Sequence, residues 1–427
     1  MTILQPIGTQ GCGCDRRDAA KALLSVDDAL ALISGRTRPV DETEMLAAGH
    51  ALGRILADPI TALRLAPPFD NAAMDGYAVA TSALTGPGPW DLPVTGRIPA
   101  GREAAPLSGS QASRIFTGAP IPVGADAVVM QEDVQRTGAA IRIDRRPAPG
   151  LNIRFAGSEF AAGAAVLHEG CHFGAREIAV CAAAGVAQVR VRRRLRVALL
   201  VTGDEVRQAG GDRSEAQIWD VNTPMLRALL TRPAIDLVAV EHGLDSLDGL
   251  FLQIAELAGT ADLLITTGGI SVGEEDHVKP ALQAMGADLI FSGVAIKPGK
   301  PVSFGHVRDT SWLGLPGNPL SAFITWKLFG EALVRRMTGE NGEGVARRHV
   351  ILSHDISRKP GRCEFRPARC IGFDRHGREV ASFDPEMHSS RVAGLSGASG
   401  LIFLPADAAF LRAGALVEFQ PFFSNRG

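Results

Sequence analysis

The sequence predicts a multidomain chain of α/β and β parts, and three observations carry that expectation. Between residues 196 and 337, short apolar runs alternate with stretches of helical spacing. Between 67 and 149, prolines and glycines punctuate brief apolar or β-branched runs. After 342 the pattern turns strand-like again. Alternating strands and helices imply right-handed βαβ units and a mostly parallel sheet. Short runs between turn residues imply a small β-rich domain and, at the C-terminus, a small barrel or sandwich.

Taken in order, Ser25-Val26-Asp27-Asp28 offers an N-cap acceptor with an acid three residues on, a capping-box variant. Val26, Leu30 and Ile33 then recur at helical spacing, and Gly35 is expected to stop the helix. A second helix is expected over 42–52. In the β-rich stretch, 127–131 and 140–143 read as strands, and helical character returns at 175–184. The continuous apolar run 196–201 reads as a buried strand. Then follow helix 223–230, strand 236–240, helix 247–257, strand 262–266, helix 278–285, strand 288–291 and a long helix 319–337. Strands are expected at 350–356, 370–373, 401–404 and 415–419.

With 427 residues, 46% hydrophobic and 21% charged, the chain has an ordinary globular composition, and its length suggests about three domains. A net charge of -2 supplies no basic field for nucleic acid. The arginines at 190–196 lead into an apolar run and read as a solvated domain entry. Residues 1–20 show neither a continuous apolar stretch nor a small-residue cleavage site, and no apolar run is long enough to span a bilayer. A cytoplasmic protein is therefore expected, without membrane partners. Six cysteines do not make a disulfide framework in a chain of this size. Cys12 and Cys14 read as part of a flexible tail. Cys363 and Cys370 lack zinc-type spacing.

The chemistry concentrates after two strand ends. Thr202-Gly203-Asp204-Glu205 and Thr266-Thr267-Gly268-Gly269-Ile270-Ser271-Val272-Gly273 are polar turns where an open parallel sheet binds ligands. Glycines let backbone N–H groups approach phosphate, which makes Gly268, Gly269 and Ser271 candidate phosphate holders. Asp204, Glu205, Glu274, Glu275 and Asp276 accompany them. Two like charges about 4 Å apart cost roughly 4 kcal/mol at an effective dielectric near 20. Either these acids avoid the phosphate, or a cation such as Mg²⁺ bridges them. Glu274 and Glu275 suit a helix start; Asp276 is kept as the ligand. Ile296-Lys297-Pro298-Gly299-Lys300-Pro301 fixes two ammonium groups near each other on a stiff turn, which points to an oxyanion site. Leu315-Pro316-Gly317-Asn318-Pro319 is a second rigid turn, with Pro319 suited to a first helical turn. The histidines show no informative spacing for a Ser-His-Asp arrangement, and metal-assisted hydrolysis suits the inventory better.

These turns resemble the molybdenum-cofactor biosynthesis domain. With Pro68-Phe69-Asp70-Asn71-Ala72-Ala73-Met74-Asp75-Gly76-Tyr77-Ala78-Val79, Ile115-Phe116-Thr117-Gly118-Ala119-Pro120 and Ala127-Val128-Val129-Met130-Gln131-Glu132, the chain from about Ser25 onward resembles the molybdopterin molybdenumtransferase family. The resemblance implies a transferase that inserts molybdate, its second substrate, into adenylylated molybdopterin. Mg²⁺-dependent hydrolysis of the adenylyl pyrophosphate would give molybdenum cofactor and AMP. It also implies a homodimer of four-domain protomers, with the cleft between the α/β domain of one and the β-rich domain of the other. A molybdopterin adenylyltransferase and apo-molybdoenzymes are candidate further partners.

The division then expected is 1–20, an N-terminal extension; 21–64 with 150–188, a discontinuous mixed α/β linker domain; 65–149, β-rich; 189–342, the molybdopterin-binding α/β domain; and 343–427, a β-barrel. By resemblance, Asp75, Thr117, Glu205, Asp245, Lys297 and Lys300 are the candidate catalytic residues. Gly268, Gly269, Ser271, Pro301, Pro316, Pro319, Arg366 and Ser390 are candidate substrate contacts, and Asp276 and Glu205 metal ligands. The chain departs from the family after Asn152-Ile153-Arg154, where Phe155-Ala156-Gly157-Ser158-Glu159 replaces the frequent Arg-Arg-Gly-Glu-Asp. The alternatives are a molybdopterin adenylyltransferase, which shares the α/β domain, and a non-catalytic scaffold like one eukaryotic relative. The Asp75 segment argues against the first. A fused second α/β domain and a long disordered linker would mark the second, and neither is seen in the sequence.

Overall fold

The computed structural model describes residues 23–244, 246–270, 276–342, 347–386 and 388–422. Strand Leu195–Val201 is apolar apart from the exposed Arg196, and its apolar residues are covered on both faces. It lies inside a six-stranded sheet ordered Ile235–His242, Leu195–Val201, Leu263–Thr267, Thr310–Leu315, Ser303–Val307, Asp288–Ser292. The first four strands pair in parallel, and Ser303–Val307 runs antiparallel to both its neighbours. Val197, Leu199 and Val201 face one core, shared with helix Asn222–Leu230 and with Leu320, Ile324, Phe329 and Leu333. Ala198 and Leu200 face the other core, under helices Leu247–Thr260 and Val278–Ala284. Both strand faces therefore read as apolar, because each has its own helical layer.

Helix Val26–Arg36 begins as expected: the Ser25 hydroxyl accepts from the Asp28 N–H at 3.0 Å. Val26, Ala29 and Ile33 join the first core of the six-stranded sheet. The expected helix at 42–52 does not form. Thr43–Ala47 is instead a strand, antiparallel to Gln188–Arg192, followed by a single 3-10 turn at Ala48–His50. Helical propensity there is a weak preference, and pairing with a strand that buries Val189 and Val191 beside Phe173 and Cys181 overrides it. The long helix expected at 319–337 forms as Pro319–Thr325 and Glu331–Thr338, joined by a π-helical turn at Trp326–Gly330.

The arginine run is only in part a solvated entry: Arg190, Arg194 and Arg196 are exposed, while Arg192 and Arg193 are half-buried. Arg193 donates to both oxygens of Asp262 (2.6 and 3.0 Å) and to Glu42 Oε2 (2.6 Å), and Arg196 also holds Asp262. Arg192 donates to the Val40 carbonyl and to Glu169. Burial alone would raise the Asp262 carboxyl, but the hydrogen bonds from Arg193 and Arg196 outweigh it and hold the pKa at about 2. One carboxylate thus ties the two-stranded unit to the parallel sheet.

The β-rich region forms a six-stranded sheet ordered Ala127–Met130, Gly76–Val79, Ala112–Ile115, Trp90–Ile98, Ala140–Ile143, Val134–Thr137. Segments on either side of it in sequence pair with each other, Ile60–Thr61 with Ala165–Leu167 and Thr43–Ala47 with Gln188–Arg192. In the C-terminal region Cys363–Phe373 pairs with both Glu379–Phe383 and Gly400–Leu404. Arg348–Leu352 and Leu416–Pro421 complete the ring, so five strands close a barrel around Val350, Leu352, Ile402 and Phe419. Cys363 and Cys370 lie on one barrel strand, and burial pushes the Cys363 thiol up to about 12. Cys12 and Cys14 lie outside the described residues. Among the described residues no helix is long and apolar enough to cross a membrane.

Candidate active site

Strands Leu195–Val201 and Leu263–Thr267 end side by side, and their turns are stitched together by backbone. The Thr202 N–H donates to the Thr267 carbonyl at 3.0 Å, and Gly268 N–H donates to the Leu315 carbonyl at 3.2 Å. Gly268 and Gly269 have φ of 89° and 62°. A Cβ on Gly268 would sit 2.7 Å from the Thr202 carbonyl oxygen, so only glycine permits this approach. Asn222, buried at the start of its helix, donates from Nδ2 to Thr267 Oγ1 (2.9 Å) and to the Gly317 carbonyl (2.7 Å). Its Oδ1 has no hydrogen-bond partner.

Beyond these strand ends lies a cavity of about 720 Å³. It collects Glu205, Gly268, Gly269, Asp276, Pro301, Pro316, Pro319 and Ser390 from separate chain segments. The Glu205 carboxylate folds back against Gly203, whose carbonyl is 3.1 Å from His242 Nε2. Asp276 precedes helix Val278–Ala284. Burial lowers the Lys279 ammonium, and the Asp276 carboxylate opposes that shift. Asp245 and Ser271, with Glu274 and Glu275, lie outside the described residues.

The lysine turn reaches the cavity through Pro301, while Lys297 and Lys300 are themselves exposed. Gly299 has φ 108°, and a Cβ there would meet Thr325 Cγ2 at 2.5 Å. Strand Ile296–Lys297 pairs in parallel with Cys363 and Glu364, which sets Lys297 beside a buried carboxylate. Glu364 Oε1 accepts from Arg366 Nε at 2.8 Å. Glu364 Oε2 lies 3.7 Å from Lys297 Nζ and 3.9 Å from Arg358 Nε, with no hydrogen bond of its own. Arg366 is buried and donates onward to the carbonyls of Asp384 (3.1 Å) and Pro385 (2.7 Å). It lines a neighbouring cavity rather than this one, and anchors the turn that leads to Ser390. Asn318 Nδ2 donates to Ser389 Oγ at 3.3 Å and draws the same loop to the cavity rim.

Asp75 and Thr117 meet on the β-rich sheet. Asp75 Oδ1 accepts from the Thr117 N–H and from its hydroxyl, both at 2.8 Å. Those two bonds, backbone first, hold the Asp75 carboxyl below its ordinary range, against a small opposing effect of burial and with help from Arg114. Arg114 lies over Tyr77 and Phe116, and Arg97 over the same Phe116 ring at 4.7 Å. None of these residues lines the α/β cavity. In the departing segment, Phe155 is half-exposed, and the Ala156 N–H donates to Asp70 Oδ1 at 2.7 Å.

Sequence reading passed over Asn222, Asn318, Trp219 and Glu364. A signal existed for the first: Asp220 accepts from the Thr223 N–H at 2.9 Å, an Asp-x-x-Thr start that marks the helix carrying Asn222. Glu364 bonds to Arg366 two residues on, but its approach to Lys297, far back in the chain, left no such trace.

Among the described residues no group of three or more His, Cys, Asp and Glu is gathered so that it could hold a metal ion. Glu205 and Asp276, which both line the cavity, are the donor type Mg²⁺ takes, one or two carboxylates completed by substrate oxygens.

Residues 24–185 match the family described as MoeA N-terminal region (domain I and II), 198–336 the probable molybdopterin binding domain, and 349–422 the MoeA C-terminal region (domain IV). A Mycobacterium tuberculosis protein named molybdopterin molybdenumtransferase 2 is 34% identical over 378 residues, which span 86% of this chain and 92% of that protein. The molybdopterin molybdenumtransferase of Bacillus subtilis is 31% identical over 389 residues, 88% of this chain and 89% of that one. The crystal structure of the molybdopterin biosynthesis moeA protein from Pyrococcus horikoshii OT3 is 27% identical, with a TM-score of 0.80 over 94% of this chain and 100% of that chain.

Proposed function

The chain belongs to the MoeA family of molybdopterin molybdenumtransferases, and from that premise we propose that it is a transferase of molybdenum-cofactor biosynthesis that inserts molybdate into adenylylated molybdopterin. The observation that supports this most is the single cavity that gathers the two glycine turns, the two carboxylates, the proline turn and Ser390. The Gly268 and Gly269 turn holds the pyrophosphate through backbone donors, with Ser271 beside it in the sequence. Glu205 and Asp276 would hold Mg²⁺, which supplies charge neutralisation to the phosphate oxygens. Lys297 and Lys300 on their rigid turn hold molybdate, and the Glu364 carboxylate beside Lys297 orients that turn. Water adds to phosphorus, the pyrophosphate P–O bond breaks, and AMP leaves.

In this reading the working form is a homodimer, in which Asp75 and Thr117 of one protomer close the cavity of the other. The lowered carboxyl of Asp75 keeps it ionised and fixed for that role. The setting is the cytoplasm, where the described free cysteines stay reduced.

A single-turnover assay with adenylyl-molybdopterin, Mg²⁺ and molybdate tests this, following AMP release and activation of an apo-molybdoenzyme. Molybdate-dependent AMP release coupled to activation is expected. AMP release without activation, or no turnover of bound substrate, would overturn it.

A further inference from the structure

One part of the cavity wall has no place in the roles above. Most of its large apolar side chains, Val201, Leu250, Ile270 and Val278, are buried and belong to the packed cores. Ile218, Trp219 and Leu244 line the same cavity yet are 55%, 42% and 56% exposed. Apolar surface left in water is unfavourable, so three exposed apolar side chains lining one cavity stand out from the buried ones.

Trp219 is also held in place. Strand Ile218–Trp219 pairs in parallel with Val206–Arg207; Ile218 N–H donates to the Glu205 carbonyl at 2.8 Å, and Asp220 N–H to the Arg207 carbonyl at 2.7 Å. Asp220 in turn caps the helix that carries Asn222. These bonds fix the Trp219 backbone to the segment bearing a candidate metal ligand. The guanidinium of Arg213 lies 5.4 Å from the Trp219 ring centroid, so the ring already makes a cation–π contact. An aromatic platform on the wall of a phosphate-binding cavity is what a flat nitrogen heterocycle stacks on.

We infer that Trp219 is the stacking platform for a heteroaromatic ring of the substrate. The inference rests on the function proposed above, whose substrate carries two such rings, an adenine and a pterin. Either ring has the required shared chemistry, and binding measurements separate them.

The test measures equilibrium binding of AMP, neopterin and ribose 5-phosphate to the full-length wild-type protein and to W219A and W219F, by calorimetry. Base stacking on an aromatic side chain contributes about 1–3 kcal/mol, so W219A should weaken the stacked ligand by roughly 5- to 150-fold. W219F should stay within a few-fold of wild type. Weakening of AMP with ribose 5-phosphate unchanged assigns the platform to adenine; weakening of neopterin alone assigns it to the pterin. Unchanged affinity for both rings in W219A overturns the inference. So does an equal loss for ribose 5-phosphate, which would mean that the cavity wall had collapsed. Discrimination by Trp219 in a protein that shows no molybdate-dependent AMP release would leave the platform standing and sink the proposed reaction instead.

Discussion

In the α/β region, residues from distant chain segments converge on one cavity, whereas in the β-rich region Asp75 and Thr117 stand together on an open surface. The first arrangement follows from parallel topology: every strand of a parallel set ends on the same side, so the turns after Val201, Thr267 and Leu315 share a rim. The β-rich sheet mixes directions, with Gly76–Val79 antiparallel to both its neighbours, and it builds no such rim. What it does provide is a carboxylate fixed by two hydrogen bonds. On the function proposed above, the two regions divide the labour, one binding the substrate and the other presenting an ordered acid to it.

The largest effect that would break this comparison is catalytic. Asp276→Asn and Asp75→Asn should each lower single-turnover AMP release by roughly 100-fold or more, as loss of a group acting on developing charge does. Only Asp276→Asn should also change the Mg²⁺ dependence of AMP binding. Equal loss of binding in both variants would mean that the two regions do not divide the work. Next comes complementation between chains. If each cleft draws on two protomers, unfolding and refolding the two variants together should recover about a quarter of wild-type activity, since half the dimers would pair one intact site. No recovery would place Asp75 and the cavity in the same chain's site.

A smaller effect concerns the seam. Asp262 is ionised with a pKa of about 2 in the folded chain against 3.8 for the free group. Its folded value is depressed, so its contribution, about 2 kcal/mol at most, is present above the unfolded pKa and fades as pH falls from about 4 towards 2. Asp262→Asn should therefore lose stability at pH 7 in denaturant unfolding, with the difference from wild type narrowing at pH 3. A gap that did not narrow would assign the loss to packing. Smallest of all, Thr117→Val should let the Asp75 carboxyl rise towards its ordinary range, because the hydroxyl bond goes while the backbone bond stays. Carbon-detected NMR titration reads that shift directly.

Much of the α/β region was legible because its signals are local. An unbroken apolar run needs two covers, and a glycine turn at a strand end needs a close neighbour; both conditions are written in consecutive residues. The hairpin Ser303–Val307 with Thr310–Leu315 was not legible. Gly305 and Gly314 weaken its strand pattern, yet a Cβ on Gly305 would meet the Asp288 carbonyl at 2.3 Å, so close packing requires the residue that obscures the strand. The error at Thr43–Ala47 has the same origin, since its partner strand lies far along the chain at Gln188–Arg192.

By itself, then, the sequence determined the alternation of strands and helices, the placement of the glycine, lysine and proline turns, and the residue types able to hold phosphate, metal and oxyanion. Those follow from backbone freedom and side-chain chemistry, which neighbours in sequence settle. Tertiary structure alone decided that Ser390 and Pro301 share a cavity with Glu205, that Arg366 holds Glu364 and lines a neighbouring cavity rather than this one, and that Trp219 stands open on the cavity wall. Each depends on segments far apart in the chain meeting at one sheet edge, where desolvation and charge pairing act only after the fold has formed.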